Sequence, residues 1–337
     1  MVRKNMIIYF LIVLVLANPV SAAGDASLNK WVLNVTLQDD GSVEEIIQAE
    51  IENGAASSID GISFVIPSSV VILTSDQIMS IPSLSGQVVE QEPTAEGTKI
   101  TIRFNNPLQT GKKWNARITL SAPGWAVKDG MDYSINIPVK APQIIVGGKE
   151  NKISVPTGAE IRMQVFFPKA IEIKSVVQTP QQRPYKKLFQ FNHEVITWFT
   201  DNLQIDDTIK IQGTFSEVLN KIVETNDRMT AVSASIKKAK GLGTDVTDAE
   251  AHLKNANEYL NTALGSFWKG DSNNALQYIE YANDELNQTE GSITEPAKTA
   301  DQTPSVTGTQ EAKKNPGFEA LAAVIAFGLI FAFMRKK

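Results

Sequence analysis

The hydrophobic pattern of this 337-residue chain changes period once, near Phe215, and no other feature constrains the fold as tightly. Before that point the apolar residues of several runs recur, in part, every second position. The runs Val43–Asn53, Lys99–Asn105, Trp114–Leu120, Tyr133–Val139, Ala159–Phe167 and Thr208–Phe215 all read as half-buried strands. Turn signals separate them: Asp39-Asp40-Gly41, Asn53-Gly54, Ser85-Gly86, Thr110-Gly111, Asp129-Gly130 and Gly147-Gly148. Short strands at this spacing, with no helical period among them, predict β-sandwiches rather than a parallel sheet. The fold class expected is mainly β with a C-terminal α bundle.

An internal repeat refines that expectation. Lys99–Leu120 aligns without a gap on Glu194–Phe215 at an offset of 95, with Phe104 on Phe199 and Trp114 on Ile209. Ser63–Leu73 resembles Gln164–Lys174 at an offset of 101, a slip that suits a loop insertion. The repeat predicts two tandem β-sandwich domains, 27–138 and 139–216, each with its own core.

After Phe215 the period becomes helical, and the segment 217–289 reads as a three-helix bundle. Val218, Ile222, Val223, Met229, Val232 and Ile236 share one face; Lys237, Lys238 and Lys240 favour the helix C-terminus, and Gly241 is the expected stop. Thr247, with Glu250 three residues on, reads as an N-cap and capping box. Gly270-Asp271-Ser272 separates the second helix from a third bearing Ala275, Ile279, Ala282 and Leu286. Residues 290–315 hold no aromatic side chain and few large aliphatics, so they predict a flexible stalk, a candidate for O-glycosylation.

Both ends of the chain are apolar and carry cations. Arg3 and Lys4 precede Met6–Ala17, and small residues follow, so residues 1–22 read as a signal peptide cut after Ala22. That run rises only about 18 Å as a helix, short of the ~30 Å membrane core. At the other end Phe318–Met334 is apolar apart from Glu319 and is followed by Arg335-Lys336-Lys337. The positive-inside rule then places everything between on the extracellular face of the membrane. Acidic residues outnumber basic ones by 37 to 32, and five of the cations sit at the two ends. The intervening body therefore disfavours nucleic acid. The chain has no cysteine, which excludes disulfides, a thiolate nucleophile and attachment of lipid to a cysteine.

The segment 316–337, with a stalk, then Pro316-Gly317-Phe318, then an apolar tail and a basic end, resembles the archaeal PGF-CTERM sorting signal. The resemblance covers only these terminal residues. It implies archaeosortase and signal peptidase as processing enzymes, removal of the tail and a lipid at the new C-terminus. A plain C-terminal transmembrane helix is the other reading. The whole layout looks like that of an archaeal surface-layer-associated protein.

Chemistry-bearing residues are sparse. Asn34-Val35-Thr36 and Asn287-Gln288-Thr289 are glycosylation sequons. His193 and His252 have no metal-spaced or triad partners in sequence, and Asp39-Asp40 and Asp206-Asp207 read as turn residues rather than calcium ligands. Gly241-Leu242-Gly243 reads as a turn between helices rather than a dinucleotide loop. Trp114 and Trp198 fall on strands and are expected in the core, whereas Trp125, in Ala122–Gly130, is the tryptophan expected to be exposed for ligand contact. No cofactor, metal or catalytic residue is expected. The leading expectation is a non-enzymatic envelope protein, structural or adhesive, with envelope proteins or glycans as partners. The alternatives are a glycan- or solute-binding module using Trp125 and, more weakly, a hydrolase using a histidine base.

Overall fold

A computed structural model describes residues 25–83 and 87–293. The expected signal peptide with its Ala22 cleavage site, most of the stalk and the Pro316-Gly317-Phe318 motif lie outside the described residues. Strands β1 to β16, numbered in chain order, form three sheets. The long sheet runs β14 (Lys186–Gln190), β15 (His193–Trp198), β12 (Glu160–Phe166), β1 (Ser27–Leu37), β2 (Val43–Glu52), β7 (Lys113–Ala122), β4 (Ile78–Ile81). The second runs β11 (Lys149–Lys152), β10 (Gln143–Val146), β3 (Ile59–Ile66), β6 (Gly97–Leu108), β5 (Val88–Thr94). The third runs β13 (Ile171–Thr179), β16 (Thr208–Phe215), β9 (Asp132–Pro138), β8 (Val127–Asp129).

Alternation decides which side of the long sheet is buried. On β2, Val43, Glu45, Ile47, Ala49 and Ile51 are buried and the intervening residues are not. Both smaller sheets cover this same side. The Trp31 ring on β1 meets Phe64 on β3 at 6.1 Å, and the Trp198 Nε1–H on β15 donates to Gln178 Oε1 on β13 at 3.2 Å.

The two separately cored sandwiches expected from the repeat are not found. One hydrophobic cluster runs from Ala26 to Ile211. The long sheet crosses the expected boundary because β1 pairs antiparallel with β2 and parallel with β12. The boundary at 138/139 also fails, since β9 pairs with β16 and β10 with β3. The repeat itself is visible as equivalent pairings. β2 joins β7 and β3 joins β6, just as β9 joins β16 and β12 joins β15. The first set gives its β2–β7 layer to the long sheet and the second its β12–β15 layer, so the two units share that sheet.

The three-helix bundle forms as expected, with different caps. α1 (Glu217–Gly241) is capped by Ser216, whose hydroxyl accepts from the Leu219 amide at 3.4 Å. It ends at the expected Gly241, but the left-handed cap is Gly243, which adopts φ +84°, and the Thr244 amide reaches back to Ala239 O at 3.1 Å. At α2 (Thr247–Trp268) the capping group is Asp245, not Thr247. Its Oδ1 accepts from the Thr247 amide at 3.0 Å and the Thr247 hydroxyl at 2.7 Å. α3 (Ser272–Ile293) continues past the expected stalk boundary at 290. Thr289 is buried, and Arg228 on α1 holds Glu290 at 2.9 Å.

The bundle docks on the β14–β15 hairpin. Phe189 packs into the bundle's apolar cluster. Buried Glu194 accepts from the Ile173 amide (2.7 Å), Lys187 Nζ (3.0 Å) and Trp268 Nε1 on α2 (3.2 Å). Asn192 at the hairpin turn donates to Asp227 and accepts from Asn226, both on α1 and both at 2.5 Å. None of the three described helices is long and apolar enough to cross a membrane.

Candidate functional site

Both smaller sheets lie on one side, and neither covers the opposite side of the long sheet; that side is open from β12 to β4, whereas on β15 Val195 and Thr197 are buried. At about 4.8 Å per strand, seven strands make a face about 29 Å wide. Register sets its pattern. One row across the strands is Thr119, Ile46, Asn34, Gln164, Thr197. The next is Met79, Arg117, Gln48, Val32, Arg162. On the other side of the Asn34 row lies Ser121, Glu44, Thr36, Phe166, Val195. The centre is thus built of amides and hydroxyls around Ile46 and Val32.

Charge concentrates toward one end of the strands and pairs there. Lys113 reaches Glu50 at 3.1 Å and Glu52 at 3.3 Å, and Lys30 and Arg162 reach Glu160 at 3.5 and 3.1 Å. On the β15 side, Arg162 and Lys186 both lie over the Phe199 ring. In the centre Gln164 Nε2 donates to Thr197 Oγ1 at 3.3 Å, whereas Asn34, Thr36, Gln48 and Thr119 have no side-chain partner among the described residues. Half-buried amides and hydroxyls in register, unspent within the protein, suit a neutral hydrogen-bonding partner laid across the strands.

The sequence-singled residues fall in different places. Asn34 lies at the middle of this face, in a strand paired on both sides. Asn287 is exposed on α3, and its Oδ1 accepts from Arg228 Nη2 at 2.6 Å. Trp125 corrects the expectation of an exposed ligand contact. It is 6% exposed, its Nε1 donates to Asn136 O at 3.0 Å, and it belongs to the core, because Gly124 at φ +72° turns the chain and folds the ring inward. Trp114 and Trp198 are fully buried as expected, and the exposed tryptophan is Trp268.

His193 Nδ1 lies 2.5 Å from Phe167 O, and His252 Nδ1 lies 2.7 Å from Glu285 Oε2. Asp207 is buried and accepts from Arg183 Nη1 (2.6 Å), Gln178 Nε2 (2.9 Å) and the Gln204 amide (2.7 Å). Asp40 accepts from the Ser42 amide and hydroxyl, which hold its carboxyl below the usual range. Both aspartates serve the turns they occupy. Among the described residues no cluster of three or more His, Asp or Glu could hold a metal ion.

Sequence reasoning passed over Glu45. It is 2% exposed on the core side of β2, and Oε2 has no hydrogen-bond partner among the described residues. Desolvation pushes its pKa up to about 8. The signal was present: Val43, Glu45 and Ile47 share one phase of the alternation, and that phase is buried.

No family model matches this chain, and no curated protein matches it in sequence. Among solved structures it is similar to an M1 zinc metallopeptidase from Deinococcus radiodurans at 12% identity and TM-score 0.33, over 56% of this chain and 42% of that one. A putative protease from Parabacteroides distasonis gives 12% and 0.33 over 80% and 60%, and a native yeast LTA4 hydrolase gives 9% and 0.34 over 56% and 29%. The chain spans less than two thirds of each, and at these scores the likeness carries no assignment of chemistry.

Proposed function

We propose that this chain is a non-enzymatic envelope protein held at the outer face of a membrane, with a structural or adhesive role, and that the open face of the long sheet is its contact surface. The observation that carries the adhesive part is the register of unspent amides and hydroxyls at Asn34, Gln48 and Thr119. The tether rests on the sequence of the ends. Export comes from the signal peptide, and the stalk leads to Pro316-Gly317-Phe318, where the tail is replaced by lipid. Intact-mass measurement of the membrane form tests the anchor: a lipid-bearing chain ending near Phe318 supports it, and a chain running through Lys337 without lipid means a transmembrane helix.

A second reading, binding of a neutral glycan, is favoured by the same polar rows and moves from Trp125 to this face. Retention of the full chain on purified cell envelope tests the surface. Gln48→Ala with Thr119→Val should weaken retention roughly tenfold, the equivalent of about 1.4 kcal/mol, with melting unchanged. Undiminished retention would remove the face from the proposal.

A further inference from the structure

The three sheets end in six edge strands, and five of them carry charge. These are Lys186 and Lys187 on β14, Glu90 and Glu92 on β5, Lys149 and Glu150 on β11, Glu172 and Lys174 on β13, and Lys128 and Asp129 on β8. Charged side chains are the usual protection of an edge against strand addition, because pairing would strip them of water. β4 is different: its sequence is Ile-Met-Ser-Ile. Met79 and Ile81 point to the open face and are 59% and 76% exposed. No described strand lies beyond β4.

We propose that β4 is a homotypic docking edge, at which a second copy of this chain adds antiparallel and joins two long sheets into one. Symmetry fixes the parity of the register. A two-fold axis perpendicular to the sheet keeps the open face of both copies on the same side, so odd residues must oppose odd residues. Of the registers this leaves, the one centred on Ser80 sets Met79 against Ile81 in both directions, an apolar cross-strand pair with no charge to bury. Self-pairing of β5 about Gln91 would instead set Glu90 against Glu92. Three residues a side bury little area, so the contact is transient in free solution. The membrane tether proposed above, on which the biological relevance rests, concentrates the copies and aligns them.

The absence of cysteine makes the test clean. Directly opposed residues of an antiparallel pair have Cα atoms about 4.5–5.5 Å apart, within disulfide range. Full-length Ser80→Cys, oxidised with copper phenanthroline on cells and again as purified protein at high concentration, should give a covalent dimer. Gln91→Cys on β5 should not, and adding Ile81→Lys to Ser80→Cys should reduce the dimer at least severalfold without changing the fold. A monomeric Ser80→Cys in both settings overturns the proposal, as does equal crosslinking of Gln91→Cys or an adduct whose mass shows another protein. Membrane fractionation of the same cells reports the tether separately. A dimer from a chain absent from membranes would refute the tether alone, and a membrane-bound monomer would refute the pairing alone.

Discussion

Glu45 is the residue at which this chain departs furthest from its own pattern. An acid in the core phase of β2 is stable there only while protonated. Its folded pKa, about 8, stands above the ordinary value of 4.5. Below that ordinary value both states bind the proton and the residue contributes nothing. Between 4.5 and about 8 the unfolded chain releases it first, so stability falls as pH rises through this window and levels off above it. Glu45→Gln should therefore flatten the profile. Melting followed by circular dichroism should show the variant's advantage to be larger at pH 8 than at pH 5; an equal gap would mean that the carboxyl finds a partner. The caps give a second contrast at this scale. Asp245→Ala removes the acceptor for both the amide and the hydroxyl of Thr247, so it should lower the bundle's melting temperature more than Thr247→Val, which loses the hydroxyl alone.

Among elements, the β14–β15 hairpin does the most to unite the molecule. Glu194 holds β13, β14 and α2 at once, and its removal leaves the Trp268 and Ile173 N–H groups and the Lys187 ammonium without their acceptor. Glu194→Ala should cost about 3 kcal/mol or more, the usual penalty for breaking a buried charge pair, and urea titration measures it. Elements of this chain were legible in sequence wherever one side of a segment meets water. β2, β7, β12 and the three helices follow their periodicities. What sequence could not show is which strand lies beside which. The pattern of β1 fixes its buried side but not its partners, and β9 reads the same whether it pairs forward or back. Trp125 was misread for a related reason: a tryptophan in a Pro-Gly turn looks exposed until the core that receives it is known.

For the molecule as a whole, the shared long sheet implies one cooperative β body. Calorimetry of the purified chain should give a single transition for the sheets, with calorimetric and van't Hoff enthalpies in agreement. Two resolved transitions would mean that the units are energetically separate despite their common layer. A fragment ending at residue 138 should fail to fold, since it leaves β1 without β12 and β9 without β16. The parts of the candidate surface were visible in sequence only as scattered polar residues on strands. Their convergence is a product of register, which depends on pairing that no local pattern encodes.

The parallel pairing of β1 with β12 also sets a timetable. Residues 27–37 must wait for residues 160–166 before the long sheet can close. At synthesis rates of about 5–20 residues per second, that interval lasts on the order of ten seconds. Throughout it, a growing chain that has already paired β1 with β2 holds β1's other edge open, rich in Val and Leu and ready to accept any strand that arrives. The early half is thus a receptor for the late half, and its greatest hazard is another nascent copy.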